Sequence, residues 1–337
     1  TPFAASGAVQ DSLLTTGVLN AALGGSSVVV TTTNAAGTGV GNITVVDPIT
    51  WASANSLTLT AANNIAINGA ITTGAAGSAL ILNATGNVTQ SAVIGGAGGL
   101  TKQGAGNATL SQANTYAGLT TVSAGTLSAQ NATALGTTAG GTTVSAGATL
   151  DINGVAIGAE ALTITGTGVG GVGALTGTGT ASLSGTVAIG AASTIGGVGT
   201  LTLSGVVSGT ALTKAGAGTL VLSGANTYTG ATNVNAGVLN VQNALGTGTT
   251  AGGVVVASGA ELQLQGGITV GAEALSINGS GVGGLAGALH SISGANTWGG
   301  TVTLTGASTV QSDAGTLTLS AANSVTGAAQ NLTVAGA

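Results

Sequence analysis

The chain has 337 residues, among them 64 glycines, two lysines, no arginine, seven acids, one histidine and no cysteine, and its net charge is −5. Only 3 % of residues are charged, yet mean hydropathy is +0.59. Two cations cannot neutralise nucleic-acid phosphates or dock on an anionic membrane surface, no disulfide or thiolate metal site can form, and no apolar run reaches the roughly 18 residues of a membrane-spanning helix.

Disorder is excluded on the same grounds. Low hydropathy and high net charge mark disordered chains, and both are reversed here. The opening TPFAASGAVQD has no basic region and no apolar stretch, so the chain reads as a mature or excised piece. The bias is uniform from end to end, which predicts one continuous β-helical segment over 1–337, with irregular or partial coils over 1–41.

In chain order, residues 1–27 hold only fragments of a strand pattern, Ser12–Leu14 and Val18–Leu19. Alternating runs then follow at Ser56–Thr60, Ala79–Asn83, Leu162–Thr165, Thr200–Ser204, Leu220–Ser223, Glu261–Gln265, Thr301–Thr305 and Thr316–Ser320. In each, Leu, Val or Ile alternates with a polar residue, the pattern of a strand with one buried face. Gly, Asn and Ser bound the runs as turn residues. No stretch shows helical spacing, and pieces such as Ala61–Asn64 are too short to nucleate a helix.

Internal repetition organises these runs. Leu100-Thr101-Lys102 recurs as Leu212-Thr213-Lys214, and Asn114-Thr115-Tyr116 as Asn226-Thr227-Tyr228, both 112 residues on. Glu160-Ala161-Leu162 recurs as Glu273-Ala274-Leu275, 113 on. The long repeats span about 100–211 and 212–331, and a further copy is expected to begin at Leu332. Within them, strand starts at Leu100, Thr120, Thr142, Leu162, Thr186 and Leu212 are 20, 22, 20, 24 and 26 apart. Short strands at that spacing, joined by small-residue turns, predict an all-β fold: a right-handed parallel β-helix, or solenoid, with coils of about 20–26 residues. Its core is filled by stacked aliphatics, which explains how 1 % aromatics suffice.

Lys214–Asn240, KAGAGTLVLSGANTYTGATNVNAGVLN, resembles the passenger-associated transport repeat of bacterial autotransporter adhesins. Lys102–Leu127 is a second copy, with Asn107-Ala108 and Ser111-Gln112-Ala113 departing from the pattern. Asn42–Asn87 resembles repeats of filamentous-haemagglutinin-like adhesins. The resemblance implies a type V secreted protein, exported across the outer membrane of a Gram-negative bacterium to the cell surface or medium. It implies a stalk segment acting in adhesion or in a biofilm matrix.

The motifs that carry chemistry elsewhere read as structural here. Gly166–Gly171 fits GxGxxG but has no following helix pattern and no acid about 20 residues on, so it reads as a turn. His290, the sole histidine, is expected at the surface, with Asp313 about one coil downstream, where it could lie on the adjacent rung as an orienting acid. The acids are Asp11, Asp47, Asp151, Glu160, Glu261, Glu273 and Asp313. Asp151/Glu160 and Glu261/Glu273 are expected at equivalent places in the two long repeats and so read as structural pairs, not as the clustered carboxylates of a glycosidase. Tyr116 and Tyr228 are expected to pack in turns. Trp51 and Trp298 could stack on sugars. Threonine pairs such as Thr58/Thr60 and Thr301/Thr303/Thr305 could line a hydroxyl ladder, but the pair is not kept from coil to coil.

The expected function is therefore a structural stalk, not an enzyme, with no catalytic, cofactor-binding or metal-binding residues and no cofactor. The alternatives are a β-helical carbohydrate-active passenger enzyme and a hydroxyl-ladder, ice-binding type of solenoid. Expected partners are surface glycans or proteins of a host or neighbouring cell, the outer-membrane type V transporter during export, and further copies through lateral or end-to-end association. Nucleic acid is not among them.

Overall fold

Alternation decides the local structure. In Leu57–Ala61, Leu57, Leu59 and Ala61 point inward and are buried, while Thr58 and Thr60 face out. The same division holds in Ala79–Ala84, Thr180–Leu183 and Thr200–Leu203. The computed structural model describes residues 2–4, 13–32, 40–191, 193–284 and 286–336, with side chains from residue 13 onward. Asp11 and Ser12 lie outside the described residues, as does part of the region 1–41 expected to be irregular.

The chain forms a parallel β-solenoid in two compact units, Thr1–Leu162 and Thr163–Ala337. In the first unit, Val28–Thr31, Leu57–Ala61, Ala79–Ala84, Gly99–Gln103, Thr120–Val122 and Thr142–Val144 are successive neighbours in one sheet. A second sheet stacks Ile43–Val45, Ile65–Ile67, Val88–Gln90, Asn107–Leu110, Gly125–Ala129 and Ala148–Asn153. A third holds Ile49–Thr50, Ile71–Thr73 and Ile94–Gly96. Each paired strand lies one coil from its partner, so parallel pairing and inward stacking are the same arrangement. Leu59, Leu82, Lys102 and Val122 form one inward column, each in register with the next.

The second unit repeats the scheme. Thr180–Leu183, Thr200–Leu203, Thr219–Leu222, Gly237–Val241 and Ala260–Gln265 pair in sequence. Leu203 and Leu222 are fully buried, as their positions in alternating runs require. Val302–Ser312 is long enough to turn a corner: Val302–Leu304 pair with Leu275–Ile277, and Val310–Ser312 pair with Leu289–Ser291.

Coil lengths vary more than expected. Thr200 pairs with Thr219, nineteen residues on, and Val28 with Leu57, twenty-nine on. The extra residues are absorbed at turns, so the register within strands survives. Close coil-to-coil approach at turns explains much of the glycine. A Cβ on Gly199 would fall on the carbonyl oxygen of Gly179, one on Gly218 on that of Gly199, and one on Gly237 on that of Gly218. Each glycine in this column leaves room for the backbone of the coil before it.

One element corrects the expectation of no helix. Thr16–Gly25 is an α-helix, with Leu19 and Leu23 buried. It packs on Val28–Thr31 and Ile49–Thr50. The carbonyl of Leu23 accepts hydrogen bonds from Ser53 Oγ (2.5 Å) and Asn55 Nδ2 (2.8 Å), and Asn20 Oδ1 accepts from the Thr50 amide (3.3 Å). Ten residues with two buried leucines are too few to show a period; the helix is held by its tertiary partners. Among the described residues, no helix is long and apolar enough to cross a membrane.

Candidate functional site: the polar core of the repeats

The repeated motif residues turn inward. Lys102 and Lys214 occupy inward aliphatic columns and are 0 % and 1 % exposed. Lys102 Nζ donates to the carbonyls of Gln103 (2.9 Å), Gly104 (2.8 Å) and, one coil on, Ala124 (3.1 Å). Lys214 Nζ donates to Ala215 (2.9 Å), Gly216 (2.8 Å) and Ala236 (2.9 Å). Three donors meet three acceptors, so the ammonium is fully used without a carboxylate. Burial pushes both lysines down to about 8. Neither charge is available to an external phosphate.

Asparagine joins coils in the same way. Asn114 Oδ1 accepts from the Ile94 amide (2.9 Å), twenty residues back, and its Nδ2 donates to the Ala134 carbonyl (2.8 Å), twenty residues on. Asn226 does the same with Val207 (2.8 Å) and Gly246 (2.7 Å). Tyr116 and Tyr228 are fully buried turn residues, as expected, and their hydroxyls pair with Thr120 Oγ1 (2.8 Å) and Thr232 Oγ1 (2.7 Å). Those threonines donate onward to the carbonyls of Leu135 and Thr247, each at 3.2 Å. Burial raises both phenols well above the ordinary tyrosine value.

The carboxylates divide differently from the expected pairs. Glu160 and Glu273 are equivalent and buried, and they accept hydrogen bonds from Thr142 Oγ1 (2.7 Å) and Thr247 Oγ1 (2.5 Å). Asp151 and Glu261 are not equivalent. Ala148–Asn153 matches Ala260–Gln265, which sets Asp151 against Gln263 and Glu261 against Thr149. Asp151 faces outward beside Ser128, whereas Glu261 is buried.

His290 corrects the expectation of a surface histidine: it is 5 % exposed. Its Nδ1 lies 2.7 Å from Glu261 Oε1 and its Nε2 lies 2.8 Å from Asp313 Oδ2. Gln263, His290 and Gln311 stack in register, and Gln263 and Gln311 donate to Glu261 and Asp313, both at 2.7 Å. Asp313 does lie on the adjacent rung, as its spacing suggested. The hydrogen bonds from Gln311 and His290 hold its carboxyl below the usual range. Because an acid lies beside each ring nitrogen, neither nitrogen faces a nucleophile.

The remaining candidates are structural. Trp51 and Trp298 are buried, with their indole N–H groups donating to the carbonyls of Asn55 (2.7 Å) and Glu273 (2.8 Å), so neither offers a face to a sugar. Gly166–Gly171 is a turn that ends in a short 3-10 segment. Thr58 and Thr60 are followed one coil on by Ile81 and Asn83, which interrupts a hydroxyl ladder. Thr303 stacks on Thr326 through their hydroxyls (3.2 Å). Among the described residues, no group of three or more His, Cys, Asp or Glu converges on a metal position.

These features define a class: a parallel β-solenoid whose repeated polar residues tie coil to coil rather than line a cleft. Residues 100–129, 212–241 and 310–335 match the passenger-associated-transport-repeat. The chain thus carries the repeat of autotransporter passenger domains, and the resemblance read from Lys102–Leu127 and Lys214–Asn240 holds. The third match lies across 310–335, not from Leu332 onward as expected, and it contains neither lysine nor tyrosine. No curated protein and no solved structure matches the chain.

The sequence reading missed the buried lysines. The signal was present: in Leu100-Thr101-Lys102 and Leu212-Thr213-Lys214 the lysine is two residues from an inward leucine, on the same face of the strand.

Proposed function

We propose that this chain is a structural stalk segment of a secreted or surface-displayed bacterial adhesin, acting in adhesion or in a biofilm matrix. The observation that carries the reading is the inward use of the transport-repeat residues. Lys102, Asn114 and Tyr116, with Lys214, Asn226 and Tyr228, each bind backbone or hydroxyls within the solenoid. A motif used this way builds a scaffold, and neighbouring coils then stabilise one another additively.

The segment holds a binding region away from the cell and is not itself an enzyme. Its partners are a type V outer-membrane transporter during export, then glycans or proteins on a facing cell. The similarity of Asn42–Asn87 to filamentous-haemagglutinin-like repeats supports the same role. In the test, the segment is deleted from its native gene, and adhesion and surface display are measured in parallel. The expected result is retained display with reduced adhesion. A glycan-degrading activity in the purified segment, or unchanged adhesion after deletion, would reject the stalk.

A further inference from the structure

Among the described residues, Glu160 and Glu273 are the two buried acids that have no cation opposite them. They follow the strands Ala156–Ile157 and Thr269–Val270, and they are 2 % and 1 % exposed. Lys102 and Lys214 are occupied by carbonyls, and the described ion pairs join His290 only to Glu261 and Asp313. The titratable neighbour of Glu160 is Tyr116 and that of Glu273 is Tyr228; each glutamate helps to hold its phenol in the neutral form, so neither tyrosine supplies a counter-charge. Glu273 Oε1 has no hydrogen-bond partner.

A swap between the repeats shows what these acids require. Glu160 takes its hydroxyl from Thr142, whose counterpart 112 residues on is Val254. Glu273 takes its hydroxyl from Thr247, whose counterpart 112 residues back is Leu135. The threonine has moved along the chain, yet each repeat keeps one hydroxyl on the same carboxyl. One hydroxyl satisfies a neutral carboxyl far better than an ionised one, because a buried carboxylate with an unpaired oxygen bears the larger desolvation cost.

We propose that Glu160 and Glu273 are proton-dependent latches: the coils close around the neutral carboxyl, and loss of its proton loosens the turns it holds. The reading is independent of any adhesive role. Burial moves both acids in the required direction, Glu273 up from 4.5 to about 7 and Glu160 upward, with the threonine hydroxyls opposing. For an acid raised on folding, the stabilisation is complete below the unfolded value and is lost as pH rises through the folded one. Within that window, each pH unit lowers the folding constant by up to about tenfold per glutamate.

The test is thermal unfolding of the wild-type chain and of Glu160→Gln/Glu273→Gln between about pH 5 and pH 8. The melting temperature of the wild type is expected to fall across this range, and the decline is expected to flatten in the double variant. Infrared spectra of the wild type provide a second readout that needs no variant. A protonated carboxyl stretch is expected near pH 6 and should vanish by about pH 8. An equal pH slope in both proteins, or no such band near pH 6, would overturn the proposal.

Discussion

Replacing Lys214 by methionine tests the polar core most directly. The side chain stays unbranched and apolar along its stem, ends one atom short, and loses the ammonium that joins Ala215, Gly216 and, one coil away, Ala236. Hydrogen bonds to a charged group contribute about 1.5–3 kcal/mol each, so three contribute about 4.5–9 kcal/mol. Removing the ammonium also removes its burial cost of several kcal/mol. The three carbonyls then face a thioether and lose their donor, and the net loss is expected to be about 2–4 kcal/mol. Urea unfolding measures the total. Hydrogen exchange measures the local part at the Asn235 amide, which donates to the Lys214 carbonyl at 2.9 Å. A loss below about 0.5 kcal/mol, with unchanged exchange at Asn235, would show that the lysine does not tie the coils. Lys102→Met is expected to match it, because its three contacts are nearly the same.

Other substitutions probe the packing. Leu222 is fully buried, so Leu222→Asp is expected to cost more than about 4 kcal/mol and to open the surrounding coils to protease. Gly218→Ala sets a Cβ on the Gly199 carbonyl and is expected to cost about 1–3 kcal/mol, while Gly158→Ala, with open space around it, is expected to be neutral in the same melting assay. Tyr228→Phe removes the hydroxyl bonded to Thr232 and is expected to cost about 1 kcal/mol in urea. The lysines should add an alkaline signature. Lowered from 10.5 to about 8, they give stability that rises with pH through that interval, until the raised tyrosines reverse the slope above 10.0. A melting temperature that stays flat between about pH 8 and pH 10 would count against the buried ammoniums.

Most of the fold was legible because strand alternation and a repeat of about one coil act over every stretch of the chain. Leu203 and Leu222 could be placed inward from their neighbours alone. The short helix Thr16–Gly25 was not legible, because its stability comes from contacts to Asn55 and Ser53, thirty residues downstream. His290 was misplaced for a related reason. Outward positions are normally solvated, but here carboxylates on both adjacent rungs enclose the ring, and that depends on coil register. Asp151 and Glu261 each precede the glutamate of their own repeat, by nine and twelve residues; the strand register shows that they do not occupy the same position. The buried lysines were legible in principle, but their charge outweighed their position in the reading.

Placing the cations inside has an outward consequence. Lys102, Lys214, Glu160, Glu261, Glu273 and His290 are all withdrawn from solvent, leaving Asp47, Asp151 and Asp313 as the described acids that reach it. Such an exterior is electrically quiet. It casts almost no field across the surrounding water, so nothing is drawn in from beyond a Debye length, and added salt has little to screen. A molecule brought against these flanks would meet amides, hydroxyls and small apolar groups, contacts that fresh water and brine alter little.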